Sequence, residues 1–156
     1  MISQTTEYAL RAMVILGKQP EKAWKTKEIA TLTQVPTDYL SKVLQNLCRH
    51  KLVVSQRGIN GGMAISKSPE TVTILDIVNA VDPIPRIKKC PLNLKEHGLN
   101  LCPLHKKLDH ALSLVEKVFQ STTLAELIEQ SHESAETVGL CHLHLAKKHS
   151  VTGLAK

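Results

Sequence analysis

The sequence predicts a mainly α-helical protein that carries one small β-hairpin. Several segments place apolar residues three and four positions apart, as amphipathic helices do, and two short segments rich in Val and Ile flank a Gly-rich stretch. At 156 residues, with 42% hydrophobic and 22% charged residues, the chain is long enough for one modest core. We therefore expect a single helical unit with a two-stranded projection.

The first third of the chain contains three predicted helices. Apolar residues recur at helical spacing over residues 3–16, and we expect Gly17 to end that helix. Thr26 can cap a second helix, "KEIATLT", and a turn at residues 34–36 leads to a third, "PTDYLSKVLQNLCRHK". The inward face of the third helix is predicted to consist of Leu40, Val43, Leu44 and Leu47.

A hairpin is predicted directly after the third helix. Its strands are "LVVSQ" and "MAIS", and the joining "RGINGG" has three glycines that can supply the positive φ angles of a tight loop. Helix, helix, turn, helix and hairpin in this order form the winged helix-turn-helix pattern. In that pattern the third helix enters the major groove of DNA and the hairpin reaches the backbone or the minor groove. Residues 1–82 are therefore predicted to be a DNA-binding domain.

The charge distribution supports the same interpretation. The net charge is +6, and no Asp or Glu occurs in residues 39–69, where five Lys or Arg residues lie. A solvated basic face, or a hairpin packed on a helical enzyme, is a weaker reading, because the acid-free stretch coincides with the two elements that would touch DNA. The predicted DNA contacts are Thr37, Asp38, Ser41, Lys42, Gln45, Arg49, Arg57, Gly58, Asn60 and Gly61.

Two more helices are predicted on either side of a Pro-rich break. "TILDIVNAV" has Thr73 and Asp76 at capping-box spacing and ends at "DPIP", and Pro103 can open a long helix. The apolar positions of that long helix form a heptad seam of Leu101, Leu104, Leu108, Ala111, Val115 and Val118. Because this seam needs a partner, we expect a homodimer that presents two recognition helices to a palindromic operator in double-stranded DNA.

The rest of the chain divides into three predicted parts. Residues 83–102 form a predicted metal-binding loop, residues 103–135 the dimerisation helix and a following short helix, and residues 136–156 a tail. No apolar run is long enough to span a membrane and the N-terminus lacks a signal peptide, so we expect a cytoplasmic protein. No nucleophile-base arrangement, phosphate-binding loop or cofactor fingerprint is present, which argues against an enzyme.

The segment "CPLNLKEHGLNLCPLH", residues 90–105, concentrates possible metal ligands. Four cysteines in a reducing compartment argue against a disulfide framework. Cys90, His97, Cys102 and His105 form a set of two thiolates and two imidazoles that zinc accepts readily. A surface loop without metal, or a metal-trafficking protein or enzyme that uses these groups chemically, also fits the residues alone.

The order of motifs adds a family resemblance. "EYALRAMVIL", "TKEIATLTQVPTDYLSKVLQNLCRHKLVVSQRGINGG", "TILDIVNAV", a cysteine loop and "TTLAEL" follow one another over residues 1–130. This order resembles the bacterial iron-sulfur and nitric-oxide responsive repressors of IscR and NsrR type, and the "RGxxGG" wing is its most specific part. The resemblance implies a transcriptional regulator that senses iron-sulfur status, redox state or nitric oxide through an iron-sulfur cluster.

The resemblance also implies which residues would hold the cluster. The cluster loop of the IscR type runs Cys, five residues, Cys, five residues, Cys, two residues, His, and this chain matches at Cys90, Cys102 and His105. It departs at the middle position, Glu96, which leaves Glu96, the neighbouring His97 or Glu7 of the partner subunit as the fourth ligand. The small number of thiolates favours a 2Fe-2S over a 4Fe-4S cluster. Zinc and a metal-free loop stay as alternatives.

Overall fold

The computed structural model describes residues 2–90 and 101–133, which form six helices and one β-hairpin. The mainly α-helical class with a two-stranded hairpin is therefore confirmed. Glu96, His97 and the predicted tail at residues 136–156 lie outside the described residues. In chain order the elements are α1 Gln4–Lys18, α2 Thr26–Thr33, α3 Thr37–Arg49, β1 Val53–Gln56, β2 Gly62–Ile65, α4 Ile74–Val81, α5 Pro103–Ser121 and α6 Leu124–Glu133.

Helix α1 is the centre of the core, and Gly17 lies inside it. The Ser3 side chain caps α1 by accepting a hydrogen bond from the Thr6 N–H, and the helix continues to Lys18. Our expectation that Gly17 ends the helix is wrong. A Cβ at this position would lie 2.7 Å from Ile128 Cδ1, so the glycine gives α6 room to pack against α1. The close packing offsets the roughly 1 kcal/mol that a glycine costs inside a helix.

Helices α2 and α3 form the predicted helix-turn-helix. The N-cap of α2 is Lys25, one residue earlier than predicted, and its N–H donates to Glu28 Oε2 at 3.0 Å. Gln34 closes α2 in the left-handed conformation, with φ 57° and ψ 36°. All four predicted inward residues of α3 are buried in the core: Leu40, Val43, Leu44 and Leu47.

The hairpin is antiparallel and is attached to the loop before α2. Val53 pairs with Ile65 at one end of the strands and Gln56 pairs with Gly62 at the other. Trp24 bridges to β2, because the Trp24 N–H donates to Met63 O and the Met63 N–H donates to Trp24 O, both at 2.8 Å. This third backbone segment holds the hairpin against the helix-turn-helix.

The last helix returns to the N-terminal core. Thr73 caps α4 with the predicted capping box to Asp76, and the same residue pairs with Thr123 at the start of α6. The Leu124 N–H donates to Val72 O at 2.8 Å, and the Leu124 side chain is fully buried. The short helix that we expected to accompany the dimerisation helix therefore packs on α1, within the same core as the helix-turn-helix.

Helix α5 contributes no buried residue to this chain. Pro103 occupies its first turn as predicted. The seam side chains of Leu104 and Val118 are 64% and 59% exposed, and those of Leu108 and Val115 are 47% and 40% exposed. The described residues thus leave much of the apolar seam exposed. None of the described helices is long and apolar enough to cross a membrane.

Candidate nucleic-acid interface and sensor loop

The outward face of α3 presents hydrogen-bonding groups. Its exposed members are Asp38, Lys42, Gln45 and Arg49. Thr37 and Ser41 are half-buried, and the Ser41 hydroxyl donates to Thr37 O at 2.9 Å. Arg49 donates to Asn46 Oδ1 at 3.2 Å, which leaves the guanidinium on the surface. The structure therefore brings all six predicted residues of the third helix onto one side of the domain.

Two tyrosines hold the start of α3 against α1. The rings of Tyr8 and Tyr39 meet edge to face with centroids 5.6 Å apart. The Tyr39 hydroxyl also forms a hydrogen bond with the Thr5 hydroxyl. These contacts fix the orientation of α3 relative to the core from its first turn.

The wing turn depends on its glycines for two different reasons. Gly58 has a φ of +105°, whereas Gly61 and Gly62 do not have positive φ angles, so the predicted role holds at only one of the three. At Gly61 a Cβ would lie 2.3 Å from Gln56 O, and at Gly62 it would lie 2.5 Å from Trp24 O. These two glycines therefore allow close backbone packing. The turn is closed by the Gly61 N–H, which donates to Gly58 O at 2.9 Å.

The tip of the wing carries an apolar side chain that was not among the predicted DNA contacts. Ile59 is 98% exposed, and its neighbours Arg57 and Asn60 are also exposed. Lys25 Nζ donates to Ile59 O at 3.3 Å, which ties the tip to the start of α2. The sequence signal for an exposed apolar side chain here was an Ile within a turn otherwise made of Gly, Arg and Asn.

Three predicted ligands lie at the two ends of the cysteine loop. Cys90 is buried with 6% exposure, and Cys102 is the N-cap of α5. The Cys102 Sγ is 3.1 Å from His105 Nδ1. Within residues 2–90 and 101–133, no three Cys, His, Asp or Glu side chains are grouped as a metal site. The described part of the loop thus pairs one thiol with one imidazole.

An ion-pair cluster joins the start of this loop to α5. Arg86 Nε and Nη2 donate to the two Asp109 carboxylate oxygens at 2.7 and 2.6 Å, and Nη1 donates to Glu116 Oε2 at 2.7 Å. The Ile87 N–H adds a bond to Asp109 Oδ1 at 2.9 Å. We call these contacts the Arg86 brace. The Arg86 hydrogen bond lowers the pKa of Asp109 to about 2, and Asp109 and Glu116 in turn raise the pKa of Arg86.

The Arg86 brace was not among the predicted sites. Asp109 and Glu116 lie seven residues apart and therefore share one face of α5, which was a readable signal for a cation partner. Nothing local identifies Arg86, since it lies in the run "RIKK" with two lysines close by.

Glu7 and Cys48 occupy different environments on the helical domain. Glu7, about half exposed, forms an ion pair with Arg11 of the same chain, and Arg11 also donates to Thr33 O at 3.3 Å. The ion pair therefore connects Glu7 to the end of α2. Cys48 is half-buried beside the core, and burial raises the pKa of its thiol. This setting matches a small apolar residue.

The sequence is similar to those of known helix-turn-helix transcriptional regulators. The protein is 31% identical over 137 residues to an HTH-type transcriptional regulator of Aquifex aeolicus, covering 85% of this chain and 95% of that protein. It is 28% identical over 142 residues to the HTH-type transcriptional regulator NsrR of Oceanobacillus iheyensis, covering 89% and 97%.

Solved structures show the same fold. IscR of T. potens superposes with a TM-score of 0.72 at 21% identity, covering 89% of this chain and 93% of that one. CymR, the global cysteine regulator of B. subtilis, superposes with a TM-score of 0.70 at 27% identity, covering 83% and 97%. The family model of Rrf2, the iron-dependent transcriptional regulators, matches residues 2–130. The chain therefore belongs to the Rrf2 family and is a transcriptional regulator, not an enzyme.

Proposed function

We propose that this regulator is a homodimeric repressor that reads operator DNA with α3 and the wing and is controlled through the loop at residues 90–105. The observation that carries the proposal is that a polar, exposed α3 face is followed by a glycine-tightened wing, and that the chain has no Asp or Glu from residue 39, just after Asp38, to residue 69. DNA supplies the anionic, hydrogen-bonding partner that such a surface fits.

The α3 face has the chemistry of major-groove recognition. Gln45 can form a paired hydrogen bond with adenine, and Lys42 or Arg49 can do so with guanine. Three further residues lie in the first turns of α3: Thr37, Asp38 and Ser41. The two hydroxyl groups can donate to phosphates, and the Asp38 carboxylate can accept from the cytosine amino group. The wing would contact the adjacent DNA backbone. It would do so through the side chains of Arg57 and Asn60 and the main chain of Gly58 and Gly61. The α3 helix would read bases in the major groove, and these polar groups of the wing would fix the register.

The exposed seam of α5 supports a dimer. Four of its apolar side chains are between 40% and 64% exposed, and they recur at the heptad spacing that two helices use to pack together. A second copy of α5 would cover them. A two-fold axis through this contact would relate the two α3 helices, as a palindromic operator requires.

The donors of the loop fit a soft metal centre. Cys102 and His105 are already side by side, Cys90 is withdrawn from solvent, and thiolates and imidazoles ligate both iron-sulfur clusters and zinc. The positive end of the α5 dipole at Cys102 favours an anionic ligand. An iron-sulfur cluster would supply reactivity towards oxidants and nitric oxide. The similarity to NsrR supports this centre, and a 2Fe-2S form fits the few thiolates best.

The segments that connect Cys90 and Cys102 to the Ile87–Asp109 contact are short enough for both cysteines to bind one metal centre. The Ile87 N–H contacts Asp109, and the three residues from there to Cys90 can span about 10 Å. The seven residues from Cys102 to Asp109 also cover about 10 Å of α5. The fourth ligand would come from Glu96, His97 or Glu7 of the partner subunit. A change at the loop would then reach α5 through the Arg86 brace and alter the spacing of the two α3 helices.

Zinc or no metal is the alternative on the same fold. Zinc would use Cys90, His97, Cys102 and His105. The similarity to CymR, named for cysteine regulation, supports a regulator that answers to a small molecule in place of a cluster.

The test uses the full-length protein purified without oxygen, and the duplex that it selects from a random-sequence library, which we call the selected duplex. Visible absorbance with iron and sulfide identifies the cluster, and a colourless protein with zinc identifies the alternative. Cys90→Ser and Cys102→Ser should each remove the metal and change affinity for the selected duplex. Cys48→Ser is the matched control, because Cys48 is a free cysteine on α3, outside the loop at residues 90–105. Full metal content and unchanged affinity in both loop variants would refute the sensor role.

The fourth ligand is tested separately with Glu7→Ala. Loss of visible absorbance in this variant supports a carboxylate from the partner subunit, while unchanged absorbance assigns the position to Glu96 or His97. Glu21→Ala removes an exposed carboxylate outside α1 and α2 and serves as the control.

A further inference from the structure

We propose that Ile59 is a specificity residue that enters the minor groove of the operator and packs on the sugar walls at an A·T base pair. This inference rests on the proposed DNA-binding function and adds to it a residue that acts by shape and by apolar contact. The starting observation is that the side chain at the tip of the wing is 98% exposed.

The fold of the turn does not require an isoleucine at this position. Residues favoured in tight turns are Gly, Asn, Asp, Ser and Pro, and β-branched residues prefer strands. Ile59 packs on no part of the described protein, so its apolar surface contributes nothing to the core. Its chemistry is therefore available to a ligand.

The backbone under Ile59 is held in place. The Gly61 N–H donates to Gly58 O at 2.9 Å, and Lys25 Nζ donates to Ile59 O at 3.3 Å. At Gly61 the Gln56 carbonyl leaves no space for a Cβ. A side chain on such a fixed tip loses little further freedom when it binds, which favours its use as a contact.

The surroundings of Ile59 favour DNA over an apolar protein surface. Arg57 lies two residues before it and Asn60 directly after it, Lys25 donates to its carbonyl, and no carboxylate occurs in residues 39–69. The minor groove is about 6 Å wide, with apolar sugar walls and acceptor atoms on its floor at A·T pairs. Aliphatic side chains are used in this groove by other DNA-binding proteins. At G·C pairs the guanine 2-amino group occupies the floor and would obstruct an aliphatic side chain.

The test measures affinity of the full-length protein for three versions of the selected duplex. The base pair under the wing is A·T, G·C or inosine·C, and inosine is guanosine without the 2-amino group. Wild-type protein should bind the A·T and inosine·C duplexes within two-fold of each other and the G·C duplex about ten-fold more weakly. Ile59→Ala should bind the A·T duplex about ten-fold more weakly, and all three duplexes within two-fold.

Two control variants separate Ile59 from the rest of the hairpin. Ile59→Val keeps a branched side chain and should keep the wild-type ranking. Val54→Ala removes an exposed apolar side chain from β1, away from the tip, and should also keep it. Loss of the ranking in Val54→Ala would assign the effect to hairpin stability and overturn the inference.

The failures of the two proposals are distinguishable. If the wild-type protein selects no duplex, the proposed function fails. If it selects one and Ile59→Ala matches the wild type on all three versions, DNA binding stands and the role of Ile59 is refuted. A partner protein that needs Ile59 while DNA binding is unchanged gives the same refutation.

Discussion

The guanidinium of Arg86 forms a bidentate pair of hydrogen bonds with the carboxylate of Asp109, with N···O distances of 2.7 and 2.6 Å. Paired bonds of this kind fix orientation as well as distance. Arg86 lies four residues before Cys90, and Asp109 lies in α5 seven residues after Cys102. The pair therefore ties the entrance of the loop to the helix that begins at its exit.

The first prediction concerns the pH dependence of this pair. The Arg86 hydrogen bond lowers the pKa of Asp109 from 3.8 to about 2, so the ionised form is stabilised in the folded protein. Its contribution is complete above pH 3.8 and is lost as the pH falls through 2. Asp109→Asn should therefore lower the Tm by a constant amount above about pH 4, and by less as the pH falls from 4 to 2.

Thermal unfolding followed by circular dichroism measures this difference. Asp82→Asn is the control, because Asp82 is an exposed carboxylate at the end of α4. A Tm difference that is unchanged down to pH 2 would show that the ion pair is not its source. Added salt should also reduce the difference, since the pair is partly exposed.

The parts of the fold that depend on local pattern could be predicted from the sequence. The inward face of α3 and the capping box of α4 follow from helical spacing and from Thr73 with Asp76, and both are present. The role of Gly17 could not be predicted in this way. It depends on the packing of Ile128 and Leu124, more than 100 residues later in the chain.

The candidate site shows the same division. The exposed α3 residues and the Gly58 turn follow from periodicity and turn chemistry, so they could be chosen from the sequence. The Arg86 brace joins residues 23 and 30 apart, and neither spacing is a repeat that a sequence pattern reveals. Ile59 was not predicted as a DNA contact, because the wing contacts were chosen for their charge, their hydrogen-bonding groups or their glycines, and Ile59 is apolar.

The second prediction is that the protein is a dimer through α5. Leu108→Glu with Val115→Glu should give monomers, because charges would replace two apolar side chains of the proposed contact. Light scattering at micromolar concentration measures the mass. Gln120→Glu adds a charge to α5 outside the seam and should stay dimeric. A wild-type protein that is monomeric under these conditions would contradict the predicted interface.

The third prediction concerns the attachment of the wing to the domain. Gly62→Ala would place a Cβ 2.5 Å from Trp24 O, and a backbone atom cannot move aside as a side-chain end can. We expect a loss of about 1 to 3 kcal/mol in the free energy of unfolding, the usual size for overpacking. Trp24 is the single tryptophan and bridges to β2, so its emission should change in the folded variant.

Urea titration with tryptophan fluorescence gives both readouts for this variant. Ser55→Ala on β1 is the control, since its side chain is exposed and its backbone pairing with Met63 is kept. Wild-type emission and stability in Gly62→Ala would mean that the hairpin can move away from Trp24 at no cost.

The fourth prediction separates the roles of α3 and the wing. Gln45→Ala should cost about 1 to 3 kcal/mol on the selected duplex and change which base is preferred at one position, because Gln45 is proposed to contact a base edge. Arg57→Ala should weaken binding to all sequences alike and lower the salt dependence by about one phosphate contact, because Arg57 is proposed to contact the backbone. Fluorescence anisotropy at several salt concentrations measures both variants. Lys18→Ala, at the end of α1, is the control. An Arg57→Ala protein with wild-type affinity and salt slope would remove the wing backbone contact from the proposed interface, while a changed base preference in that variant would make Arg57 a reader of sequence.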